Sequence, residues 1–262
     1  RFNRCHPRHC ILWPEEMGVA ISANLWTSTI GRSTNTKEGA EPEVMQGLFI
    51  SFEGIDGAGK STHIDAVRLA FEATNARVTL TREPGGTPLA EQLRGLVLND
   101  PMDAMTEALI VFAARRDHLK QVIWPALARG DVVLCDRFSD ASFAYQGGGR
   151  GCAWSTLETL EAWVQTPPVA KNDATSQQPI KPLLTIWFDL PAAVAAQRLT
   201  AARIPDKFES QPQAFFEKVA EAYERRAQED PTRFARINAD QTMAAVRSDV
   251  LAALVTRGLL KA

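Results

Sequence analysis

Eight consecutive residues, Gly54-Ile55-Asp56-Gly57-Ala58-Gly59-Lys60-Ser61, carry three glycines, a lysine and a hydroxyl at the spacing G-x-x-x-x-G-K-[ST]. The glycines lack the Cβ atoms that would hold the backbone away from a ligand. Successive N–H groups can therefore converge on a phosphate chain at the positive end of a helix. Lys60 adds a point charge for the outer two phosphates, and the Ser61 hydroxyl, followed by Thr62, stands where a phosphate-bound Mg²⁺ would be held. This chemistry is nucleoside triphosphate binding, but GTPases, ATPases and small-molecule kinases share it, so the loop alone leaves the reaction open. No N-K-x-D order for reading guanine occurs: Lys171-Asn172-Asp173 has the wrong order, which disfavours a GTPase.

A second set of residues suits an anionic acceptor. Cys135-Asp136-Arg137 follows the apolar run Val132-Val133-Leu134. A carboxylate at that strand end can face the glycine loop and organise the water shell of a cation, while the adjacent arginine reaches an anion. Seen alone, the pair also fits an ion pair that caps a strand. Arg82 and Glu83 in Thr81–Thr87, and Arg115 and Arg116 in Phe112–Asp117, bring more charge to the same edge. An acceptor that already bears a phosphate needs such fixed cations, because two polyanions brought in line repel each other.

The elements that must position these groups are legible from periodicity. Leu48–Phe52 is an apolar run entering the loop, and Ile64, Val67 and Phe71 leave it at helical spacing, which reads as strand, loop and helix. Further strands are predicted at Val78–Leu80, Val132–Cys135, Leu183–Leu190 and Phe234–Ile237, with helical stretches between them. Near-continuous apolar strands alternating with amphipathic helices predict an α/β fold. It would be a doubly wound parallel sheet of about five strands, flanked by helices and binding ligands at the strands' carboxyl ends. The stretch from Thr166 to Pro182, with its prolines and polar residues, predicts an exposed inserted loop. Residues 1–44 show neither period and read as a disordered appendage or as chain preceding a true start at Met45, leaving 45–262 as one domain.

Composition narrows the class further. With 262 residues and 45% hydrophobic content the chain can bury a large core, and 29 Lys+Arg against 31 Asp+Glu leave no basic field to recruit nucleic acid or a membrane surface. No apolar run approaches the ~18 residues of a membrane span. Cys5, Cys10, Cys135 and Cys152 do not make a disulfide framework, so a cytoplasmic protein is expected. Cys5-His6-x-x-His9-Cys10 has metal-binding residue types but lacks a second ligand half.

Several long motifs in fixed order carry a resemblance. FEGIDGAGKST (52–62), TREPGGTPLAEQLR (81–94), FAARR (112–116), LCDRFSDASFAYQGGGRG (134–151) and LTIWFDLP (184–191) resemble the bacterial thymidylate kinases from Leu48 to about Ala262. The resemblance implies a P-loop kinase fold with a short lid, ATP as donor, dTMP as acceptor, Mg²⁺ as cofactor and a homodimer built through helices. It implies that Gly54 to Thr62 and Arg198 bind ATP. Arg137 and Arg94 would hold the dTMP phosphate, Arg115 the thymine carbonyl, and Ser142 and Gln146 the base edge. Phe112 would stack on the base, and Asp56 would lie near the sugar 3′-hydroxyl. Ser61, Glu83 and Asp136 would arrange Mg²⁺ and its waters.

Gly57 stands where some members carry arginine, which implies a catalytic cation from the lid, about 198–209, with Arg203 and Lys207 as donors. Lys207 replaces an arginine common in the family, and a compact ammonium clamps phosphate less well than a guanidinium fork. Two other readings stand beside this one: another nucleoside monophosphate or small-molecule kinase, and an inactive ATP-binding protein. Lys60, Ser61, Asp136 and Arg137 together speak against the second, since a mere binder needs no acceptor-side cations.

Overall fold

The computed structural model describes residues 47–167, 178–199, 207–208 and 210–261. Expectations for residues 1–44, most of the 166–182 insertion and Arg203 therefore lie outside the described residues. Among these, five strands form one parallel sheet in the order β2-β3-β1-β4-β5. They are β1 (Leu48–Glu53), β2 (Val78–Arg82), β3 (Val132–Asp136), β4 (Leu184–Asp189) and β5 (Phe234–Asn238). In the central strands Ile50, Phe52, Leu134, Ile186 and Phe188 are buried without exception. Both faces are covered, which is why these segments read as continuous apolar runs.

Alternation along β1 sends its side chains to two cores. Ile50 and Phe52 join Ile64, Val67 and Phe71 of α1 (Lys60–Glu72), whereas Phe49 packs with Leu119, Ile123, Leu127 and Phe138. The chain passes from β1 over β3 to reach β2, and later crosses to β4 on the other side of β1. The order thus reverses at β1, and the crevice at its carboxyl end is where such a sheet binds ligands.

Helix ends are set locally. α2 (Pro88–Asn99) starts with Pro88 behind Thr87, whose hydroxyl accepts from the Ala90 N–H at 3.0 Å. In α3 (Ala104–His118), Asp103 caps the Met105 and Thr106 N–H groups, and Arg115, Arg116 and His118 occupy the last turn, where the helix dipole favours cations. A π-turn, Leu119–Ile123, carries α3 into α4 (Trp124–Ala128).

After β3 comes α5 (Ser139–Ser142), then a second π stretch, Phe143–Gly149. This lies so close to α8 (Gln213–Glu229) that a Cβ on Gly148 would sit 2.5 Å from the Lys218 carbonyl oxygen. Widened helical turns of this kind recur at functional sites. α6 (Trp154–Gln165), α7 (Ala192–Leu199) and α9 (Met243–Thr256) complete the helical layers.

Candidate active site

Gly54 has φ +135°, and a Cβ there would meet the Phe188 carbonyl oxygen at 2.5 Å, so only glycine lets the chain leave β1 beside β4. Gly59, left-handed at φ +79°, precedes α1, whose first turn holds no acidic residue and no side-chain cap. The helix's unpaired N–H groups are thereby left for an anion. Lys60 is buried, and its ammonium donates to the carbonyls of Gly54 and Ile55, both at 3.2 Å. Burial lowers its pKa, with Arg137 adding to the effect, and Asp56, Asp136 and Glu53 opposing it. Ser61 and Thr62 are exposed at the helix start.

Arg137 joins this loop to the neighbouring cleft. Its φ is +67°, unusual for a residue with a side chain. Its guanidinium donates to Gly54 O at 2.8 Å and Asp56 Oδ1 at 2.7 Å, and to the hydroxyls of Tyr145 at 3.2 Å and Tyr223 at 3.3 Å. Burial alone would raise the Asp56 carboxyl, but the charges of Arg137 and Lys60 outweigh it and hold the group well below its ordinary value. Beneath Arg137, Glu53 accepts from the Phe138 N–H at 2.7 Å and the Tyr223 hydroxyl at 2.9 Å. Burial, reinforced by the charge of Asp140, pushes Glu53 up to about 8.

The cleft is lined by Asp56, Glu83, Arg94, Val111, Arg115, Arg137, Phe138, Ser142, Tyr145, Gln146 and Phe208, among others. Arg115 is fully buried: Nε donates to Glu83 Oε2 at 2.6 Å, one terminal nitrogen donates to Ser142 Oγ at 2.9 Å and Phe138 O at 3.1 Å, and the other terminal nitrogen has no partner among the described residues. The second oxygen of Glu83 meets His118 Nδ1 at 2.9 Å. Burial would raise the Glu83 pKa, but Arg115 and His118 outweigh it and lower it. Arg94 donates to Pro84 O at 3.0 Å and Gln146 to Glu107 Oε1 at 3.1 Å.

Two expectations need correction. Phe112 is not on the cleft wall: its ring is buried with Ala108, Phe143, Leu157 and Leu160, 4.6 Å beneath the Arg115 guanidinium, while its neighbour Val111 lines the cleft. One step along a helix turns a side chain to another face. Lys207 is not at the phosphate loop either, because its ammonium donates to Glu107 Oε2 at 2.9 Å, Asp100 O at 3.1 Å and Val97 O at 3.3 Å. Arg198 donates to Ala239 O at 3.3 Å, between α7 and the connection from β5 to α9. Phe138, Tyr145 and Phe208 are wall aromatics that the motif reading passed over. Phe138, Ser142 and Tyr145 share helical spacing that pointed to the first two, whereas nothing local marked Phe208.

For Mg²⁺, Asp136 ends β3 directly opposite Phe52 of β1, and its buried Oδ1 has no hydrogen-bond partner among the described residues, which suits a cation ligand. Among the described residues no cluster of three or more His, Cys, Asp or Glu side chains could hold a metal by itself.

Backbone N–H groups gathered where a parallel sheet reverses its order, beside a cleft lined by Arg94, Arg115 and Arg137, define a P-loop kinase. The chain belongs to the thymidylate kinase family, whose model, described as Thymidylate kinase, matches residues 52–250. A thymidylate kinase of Albidiferax ferrireducens is 64% identical over 215 residues, 82% of this chain and 98% of that protein. One from Polaromonas sp. is 60% identical over 224 residues, 82% of this chain and all of that protein. The crystal structure of thymidylate kinase from Ehrlichia chaffeensis superposes with a TM-score of 0.61 at 30% identity, covering 80% of this chain and 98% of that one. Family and fold are those the motifs implied.

Proposed function

We propose that the protein transfers the γ-phosphoryl group of ATP to the 5′-phosphate of dTMP, yielding ADP and dTDP for dTTP synthesis. The observation that carries this reading is Arg137, which touches the phosphate loop through Gly54 and the cleft through Tyr145 with one guanidinium. A donor and an acceptor phosphate on either side of it would be held end to end.

In this reading the backbone of Gly54–Ser61, with Thr62, cradles the triphosphate, and Arg198 lies at the nucleoside end. The Lys60 ammonium exchanges its two carbonyl acceptors for phosphate oxygens. Arg137 and Arg94 hold the dTMP phosphate, Asp56 lies by the sugar, and the unpartnered Arg115 nitrogen meets the thymine carbonyl beside Ser142 and Gln146. An oxygen of the dTMP phosphate bonds to the γ-phosphorus as the bond from phosphorus to the β–γ bridging oxygen breaks, and ADP leaves with that electron pair. The second ionisation of a phosphate monoester falls near ~6, so the attacking oxygen carries no proton and no general base is needed. Catalysis is then positioning and charge neutralisation.

Asp136 and Ser61 would hold Mg²⁺, which when bound neutralises charge on the β- and γ-phosphates. Glu83 has both oxygens committed to Arg115 and His118. We therefore give it the orientation of Arg115 as its first task, with any contact to the ion running through water.

The reading extends to assembly and location. Leu89 and Leu96 of α2, and Met105 and Leu109 of α3, are 44–51% exposed on helices that pack together. This apolar surface supports a homodimer. Sedimentation should show a dimer that Leu96→Glu dissociates, and a monomeric wild type would remove the claim. Among the described residues no helix is long and apolar enough to cross a membrane. Buried free Cys135 and Cys152 fit the reducing cytoplasm, where the substrates are.

Coupled detection of ADP tests the reaction. Release should require dTMP and be far slower with dCMP or AMP. Equal use of those acceptors would make it a broader nucleoside monophosphate kinase, and release indifferent to any acceptor would end the assignment.

A further inference from the structure

Glu107, in the first turn of α3, is fully buried and does not line the cleft. Its carboxylate nevertheless gathers groups from two distant parts of the chain. Oε1 accepts from Gln146 Nε2 at 3.1 Å, and Oε2 lies 2.9 Å from Lys207 Nζ and 3.5 Å from Arg150 Nε. The Val97 and Asp100 carbonyls, at the end of α2, take the other Lys207 contacts. With its ammonium held on three sides, Lys207 delivers the next residue, Phe208, into the cleft wall, where its ring meets Tyr145 edge-on at 5.6 Å. The same carboxylate fixes which end of the Gln146 amide is given to the protein and which is left for a ligand.

We infer that Glu107 is a positioning residue for the acceptor: through Lys207 it seats Phe208 over the cleft, and through Gln146 it orients the wall that meets the base. The inference rests on the proposed reaction and adds to it. Lys207 acts at the acceptor end of the site, not on the transferring phosphoryl group, so losing the pair weakens acceptor binding and spares phosphoryl transfer. A carboxylate that served only the fold would lower stability and leave the Michaelis constants of the folded enzyme alone.

Kinetics of the full chain separate these roles. Glu107→Gln and Lys207→Met should each raise KM for dTMP ~10-fold, with kcat and KM for ATP within about threefold of wild type. Lys207→Arg, which keeps the ion pair, should restore most of the affinity. Because the two residues act as one unit, the double variant should match the single ones and not reach the ~100-fold of independent effects. A loss in kcat or in KM for ATP in Lys207→Met would return Lys207 to the phosphates and overturn the inference, as would an additive double variant or an unchanged KM for dTMP. If Glu107→Gln fails to fold, the contrast between Lys207→Met and Lys207→Arg decides.

A wild type with no acceptor-dependent ADP release would refute the reaction, not the positioning. Hydrogen exchange of the ligand-free protein then provides the readout. The Gln211 amide donates to Phe208 O at 3.0 Å, and its exchange should quicken ~10-fold in Lys207→Met once the anchor is gone. Exchange at the wild-type rate would overturn the inference.

Discussion

The phosphate loop takes its shape from eight consecutive residues, and mostly from their backbone: left-handed glycines, a helix start without a cap, and a lysine resting on two carbonyls of the same loop. The cleft beside it is assembled differently. Glu83 comes from the end of β2, Arg94 from α2, Arg115 from α3, Tyr145 from the π stretch and Phe208 from beyond α7. Arg115 is held by Glu83 and Gln146 by Glu107, partners more than 30 residues away in sequence. A site made of backbone can lose a side chain and keep its form, whereas one made of paired side chains loses form and function together.

Lys60→Ala should separate the two regions most sharply. We expect kcat to fall ~10³-fold, since a point charge on the transferring phosphates is gone. The melting temperature should stay close to wild type, because the ammonium is a desolvated charge that the fold does not require. Rapid turnover by a folded Lys60→Ala protein would show that the loop is not the donor site.

Arg115→Ala should harm both properties at once. It leaves Glu83 buried against His118 alone, at a cost of roughly 3 kcal/mol measured by denaturant unfolding. It should also reduce the preference for dTMP over dCMP, read as a ratio of kcat/KM, by ~10-fold or more. An unaltered preference would remove Arg115 as the base reader and leave it a structural ion pair.

Glu53→Gln should give the smallest effect and tests the support shared by both regions, since Glu53 holds Tyr223 beneath Arg137. Its folded pKa lies above its ordinary value, so the native state binds a proton that the unfolded chain releases. Wild-type stability therefore falls as pH rises from the usual glutamate range to about 8. Glutamine cannot titrate, so over that interval the variant should gain steadily on wild type. Thermal melts across the range would show this, and parallel curves would mean that Glu53 is ionised throughout.

Much of this molecule is legible in its sequence. The loop was readable because its function depends on spacing within a single turn, and the five strands because burial on both faces writes uninterrupted apolar runs. Phe112 was harder: apolar residues fall on nearly every side of α3, so periodicity could not say whether it or Val111 meets the cleft. The motif marked Lys207 but not its place, and nothing marked Phe208, because the carboxylate that Lys207 meets, Glu107, lies 100 positions earlier.

By itself the sequence determined the parallel α/β architecture, the triphosphate nest and the cationic edge, all of which depend on contacts between near neighbours or on repeating patterns. Only the tertiary structure decided which face of α3 looks into the cleft, that Glu83 is tied to Arg115 and His118, and where Lys207 rests. Those outcomes depend on pairings between distant segments, and a side chain's partner across the fold is set by packing that no local pattern records.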